Sequence, residues 1–110
     1  MSKHTKTITS NTDIELCTGG RGTNMDMFEA TVHSYGSFDG GTLTLQLSTD
    51  GGTTKTNLRD TSGNLVQMTA ADVVNIRLGY AGKNGEEPII YANMASATSP
   101  DVTIDILDNK

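Results

Sequence analysis

Gly36-Ser37-Phe38-Asp39-Gly40-Gly41-Thr42-Leu43-Thr44-Leu45-Gln46-Leu47-Ser48-Thr49-Asp50-Gly51-Gly52-Thr53-Thr54 decides the fold of this chain. Leu43, Leu45 and Leu47 point to one side of an extended backbone, and Thr42, Thr44 and Gln46 to the other. A period of two is the mark of a half-buried antiparallel strand. Glycine-rich segments bracket it, and the Asp50-Gly51 pair predicts a tight hairpin into a second strand over Thr53 to Leu58.

The same alternation recurs outward from this stretch. Phe28, Ala30 and Val32 share one face of a strand over Met25 to Ser34, opposite Glu29, Thr31 and His33. Val74, Ile76 and Leu78 form an inward set over Val73 to Leu78. Ile90, Ala92 and Met94 do so over Ile89 to Ala95, and Val102, Ile104 and Ile106 over Val102 to Leu107. Ile14 with Leu16, and Leu65 to Thr69, read as short strands, while Thr69 to Asp72 reads as a loop or a single helical turn too short to stand alone. Turn formers recur every 8–12 residues or so, which predicts an all-β chain: an antiparallel β-sandwich or small jelly roll of about seven to nine short strands. The domain covers residues 14–110, preceded by a polar N-terminal arm over residues 1–13. That arm is either frayed or ordered against a neighbour, with Thr5, Thr7 and Thr9 alternating as in a strand.

Composition agrees with this reading. Threonine is the commonest residue, there are 12 Gly and no Trp, and aromatics make up 5% of the 110 residues. β-Branched threonine suits a pleated surface, and real apolar alternation separates the chain from a disordered one. A net charge of −5 argues against nucleic acid, whose phosphates call for a basic stripe, and against an anionic membrane surface. No apolar run approaches a membrane span, and the start of the chain has no apolar segment of the signal-peptide kind. The single Cys17 forbids an internal disulfide, as expected for folding in a reducing cytoplasm.

The residues offer little for catalysis, and the reading expects no enzyme, no cofactor and no metal. The loop Thr18 to Asn24 lacks the Gly-Lys-Ser/Thr ending of a phosphate loop. His4 and His33 are the two histidines, and neither stands at metal-ligand spacing from Cys17. A Cys17–His33–Asp triad is recognisable only in space; a small half-buried Cys17 is the simpler reading. Most carboxylates lie in turns, which Asp stabilises. Asp60 and Asn64 are the candidates for a loop calcium site. Tyr35 and Phe38, flanking a turn, are the candidates for a sugar-stacking platform. For a protein partner, the candidates are Lys3, His4, Lys6 and Ile8 in the arm, and Met25, Met27, Ile89 and Tyr91, apolar side chains on faces that otherwise look polar. The alternative for these last four is that they cover the core of the second sheet, the methionines being displaced by a register break.

The run Gly36-x-Phe38-x-Gly40-Gly41-Thr42-Leu43-Thr44-Leu45-Gln46-x-Ser48-x-Asp50-Gly51-Gly52-Thr53-Thr54 resembles one in small structural proteins of tailed bacteriophages. So do Val74-x-Ile76-Arg77-Leu78-Gly79 and Tyr91-x-x-Met94-x-Ser96-Ala97-Thr98-Ser99-Pro100-x-Val102-Thr103. Together they span about residues 35–107; Lys55 stands where such proteins often carry Trp. The resemblance implies a virion component of the capsid decoration (cement) type, a trimer that binds the major capsid protein on the outside of the head and is made in the bacterial cytoplasm. A tail- or fibre-associated adhesion or carbohydrate-binding module is the other function expected of this pattern.

Overall fold

A computed structural model describes residues 2–19, 27–78 and 87–109. Among these residues nine strands follow in order: β1 Ser2–Ile8, β2 Asp13–Thr18, β3 Phe28–Ser37, β4 Thr42–Ser48, β5 Thr56–Asn57, β6 Gln67–Met68, β7 Asp72–Leu78, β8 Ile89–Ala95 and β9 Asp101–Asp108. They form two antiparallel sheets. The first has the order β1-β9-β3-β7; the second has β2-β8-β4-β5, with β6 also on β4. Among the described residues there is no helix.

β5 and β6 are two halves of one edge strand. β5 pairs Leu47↔Thr56 and Gln46↔Asn57, and β6 resumes the same ladder at Thr44↔Gln67 and Leu43↔Met68. Leu45 joins the halves: its carbonyl accepts the Leu58 amide at 2.8 Å and its amide donates to the Val66 carbonyl at 2.9 Å. Between them the chain makes an excursion closed by the Arg59↔Leu65 bridge. The Asp60 carboxylate caps the tip by accepting the Ser62 and Asn64 amides at 2.9 and 3.0 Å. With β5 and β6 counted as one, the pairs β1–β9, β2–β8, β3–β7 and β4–β5/β6 are nested like the rungs of one long hairpin. Rolling that hairpin so that β9 also meets β3, and β8 meets β4, makes the two sheets. This is the jelly-roll winding of eight antiparallel strands.

The core lies between the sheets. Phe28, Val32, Leu43, Leu45, Ile90, Ala92, Val102, Ile104 and Ile106 are fully buried, and Leu47, Val74 and Leu78 pack half-buried against this core, so every inward set read from alternation is inward here. Burying a large aliphatic or aromatic side chain contributes about 1.5–3 kcal/mol. One buried polar contact crosses the core, from the Ser34 hydroxyl in β3 to the Met68 sulfur in β6 at 2.8 Å.

Three local expectations are corrected. The Asp50-Gly51 turn is not a two-residue hairpin: β4 ends at Ser48, β5 starts at Thr56, and positive φ falls on Gly51 and Gly52. Ser48 and Asp50 organise this wider loop. The Ser48 hydroxyl accepts the Gly52 amide, and Asp50 Oδ1 accepts the Ser48 hydroxyl and the Thr54 amide, each at 2.8 Å. The tight Asp-Gly turn lies instead at Asp39-Gly40, with φ of 46° and 82°, where it carries the chain from one sheet to the other. Second, both Leu16 and Cys17 are buried, because the β2–β8 register shifts between Glu15 and Cys17; a bulge breaks the period of two. Third, residues 2–8 of the expected arm are in the first sheet, paired with β9 from Ser2↔Asp108 to Ile8↔Val102.

Candidate association surface

The chemistry-bearing residues do not converge. Cys17 is buried on β2 of the second sheet, whereas His33 is exposed on β3 of the first, so they form no triad. Among the described residues no three His, Cys, Asp or Glu side chains are grouped to hold a metal. The Asp60 carboxylate of the candidate calcium loop is occupied by backbone amides. Phe38 is a core residue, which leaves Tyr35 without a second ring from that pair.

The partner candidates separate likewise. Lys3 and Lys6 are exposed on edge strand β1. His4 is half-buried, its Nε2 2.9 Å from Oδ2 of Asp108, itself 2% exposed. Ile8 is 1% exposed in the core, which corrects its reading as a partner contact: alternation along β1 turns it inward beside Val102. Met25 lies outside the described residues. Met27 is half-buried and its sulfur accepts from Arg77 Nε at 3.1 Å. Ile89 and Tyr91 are half-buried on the outer face of the second sheet.

That outer face is covered by the chain itself. Lys55 Nζ sits 4.4 Å from the centre of the Tyr91 ring and 3.5 Å from Oδ2 of Asp13. Gly52 packs so closely on the Tyr91 hydroxyl that a Cβ there would collide with it. The loop between β4 and β5 is thereby laid over β8, and a cation over a ring face adds to its hold.

The outer face of the first sheet has no such cover from the described residues. Three rows run across it, read from the register: Lys3–Leu107–Thr31–Asn75, Thr5–Asp105–His33–Val73, and Thr7–Thr103–Tyr35. The exposed large apolar side chains of the described residues are all here: Tyr35 at 37%, Leu107 at 40% and Val73 at 53%. No sequence signal grouped these three, because they sit on separate strands within polar alternation. Asp105 organises the centre. It accepts the Thr5 hydroxyl at 2.8 Å and the Tyr35 hydroxyl at 3.1 Å. The Thr5 bond leads in holding its carboxyl below the usual carboxylate range, with Tyr35, Lys3 and His33 assisting, and the Tyr35–Asp105 hydrogen bond raises Tyr35 above the ordinary phenol value. The Tyr35 and His33 rings meet at a tilt of 42°, their centres 4.8 Å apart.

Both edges on one side of the sandwich are guarded. β1 carries Lys3 and Lys6, and β2 carries Asp13, Glu15 and a bulge. Charges and bulges on edge strands oppose edge-to-edge pairing.

No family model matches the sequence, and no curated protein matches it. Among solved structures, that of the infectious bursal disease virus Gx strain is similar over 94% of this chain and 28% of that one, at 9% identity and a TM-score of 0.36. The chain thus spans little more than a quarter of that chain, and a likeness at this level says nothing of function.

Proposed function

We propose that this protein is a non-enzymatic virion component of the capsid decoration type, assembled as a homo-oligomer and attached to the outside of a phage head. The observation that carries the reading is the basic edge strand β1 of an acidic domain, with Lys3 and Lys6 exposed on opposite faces of one rigid sheet edge rather than on a loose tail. The residue pattern over residues 35–107 and the jelly-roll winding accompany it. A jelly roll serves capsid and lectin domains alike, so the winding alone selects neither. The burial of Phe38 weighs against the sugar-binding alternative.

β1 supplies the contact and also seals the edge of β9, so removing the segment would test folding rather than attachment. Charge reversal tests attachment directly. The purified chain, mixed with undecorated heads and centrifuged, is expected to pellet in a saturable amount. Lys3→Glu/Lys6→Glu is expected to stay in the supernatant with an unchanged unfolding midpoint, and wild-type attachment to weaken as salt rises. A wild-type chain that ignores heads, or a reversed variant that binds them equally, overturns the proposal.

A further inference from the structure

We propose that the outer face of the first sheet binds a second copy of this chain, face to face, about a two-fold axis parallel to the strands between β9 and β3.

Self-complementarity supports this occupant. The axis exchanges β9 with β3 and β1 with β7, so each row meets its own reverse. Leu107 then lies over the partner copy's Thr31, Tyr35 over its Thr103, and Val73 over its Thr5. Each exposed apolar side chain thus lands on a threonine, whose methyl group suits it. In the middle row the Asp105 carboxylate, an acceptor, lies over the His33 imidazole, a donor, twice by symmetry.

Charge selects the same face. The chain carries −5 overall, whereas here Lys3 and Arg77 offset two of the three carboxylates Glu29, Asp101 and Asp105. Two copies meeting by this face avoid most of the like-charge repulsion of their acidic remainder. Four strands about 4.8 Å apart and about 24 Å long offer roughly 450 Å² per copy. The total of roughly 900 Å² is close to the lower bound of a specific interface, about 1,000 Å². Sheets packed this way keep their strands within about 30° of each other.

The proposal rests on the homo-oligomer in the reading above but not on capsid attachment, and its test uses no heads. Sedimentation equilibrium is run to about 1 mM chain, since an interface of this size is weak. The expected species is twice the 11.7 kDa chain mass, or an even-numbered assembly that halves in Val73→Asp/Leu107→Asp. Both substitutions are at exposed positions, so the fold is retained.

A second experiment does not depend on apolar loss. Asp105→Lys and His33→Glu are each expected to dissociate, because the introduced lysine then meets His33 and the introduced glutamate meets Asp105. Mixed in equal amounts the two variants are expected to reassociate, the new lysine of one copy facing the new glutamate of the other, with at least a tenfold gain in association. A wild-type monomer at the highest concentration overturns the proposal. So does a trimer whose mass the face substitutions leave alone, or a mixture of the charge variants that stays dissociated.

Discussion

Replacing Gly36 by alanine tests the register on which both sheet faces depend. Gly36 lies in β3 opposite Val102, with φ of +115°. A Cβ there would collide with the Asp101 carbonyl oxygen, a backbone atom that no rotamer change can move. The left-handed backbone costs an L-residue about 1–2 kcal/mol. A stiffer unfolded chain returns about 0.4–1 kcal/mol. Relieving the collision separates β3 from β9 at this rung, and losing one or two ladder bonds costs about 1 kcal/mol each. The expected total is about 1–3.5 kcal/mol. Gly63→Ala is the control: its φ is +86° and nothing lies within 4 Å of the added carbon. It carries the conformational cost without the collision, and is expected to lose no more than about 1.5 kcal/mol. Urea unfolding followed by circular dichroism gives both values, with equal slopes if the denatured states match. The Gly36 variant should be the less stable by about 1–2 kcal/mol. Equal midpoints for the two variants would refute the close β3–β9 approach, and with it the row that places Tyr35 beside Thr103.

Three further outcomes are expected. The Asn11 side chain clamps the β1–β2 turn to the β8–β9 turn, donating to the Ala97 carbonyl and accepting its amide, both at 2.9 Å. Asn11→Ala should cost about 1–3 kcal/mol and speed amide exchange at Ala97. Asp50 is held down to about 2 from 3.8, chiefly by the Thr54 amide. A carboxyl lowered in the folded state stabilises it above the unfolded value and loses that contribution as pH falls toward the folded one. The loop over Tyr91 should therefore loosen between about pH 4 and 2, seen in the Tyr91 ring resonances, and Asp50→Asn should remove that transition. Cys17, buried at the β2 bulge, should resist a thiol reagent in the folded protein and react on unfolding in urea; fast labelling of the native chain would contradict the bulge.

The strands were legible because alternation is local. Leu43 and Leu45, or Ile104 and Ile106, cannot both be buried unless the backbone is extended with that face inward. All-β character and the inward sets follow from the sequence alone. Where two adjacent residues are both inward, as at Leu16 and Cys17, the period is broken by a partner strand far along the chain, and no local signal carries it. The basic residues at 3 and 6 are visible in the sequence. Their seat on a rigid edge depends on β9, about a hundred residues away. Tyr91 and Val73 each alternate outward, yet Tyr91 lies beneath the loop that Ser48 and Asp50 shape, while Val73 faces solvent. An outward position is a property of the strand. Whether anything covers it is decided by which loop the rolled hairpin brings there, and only the tertiary structure settles that.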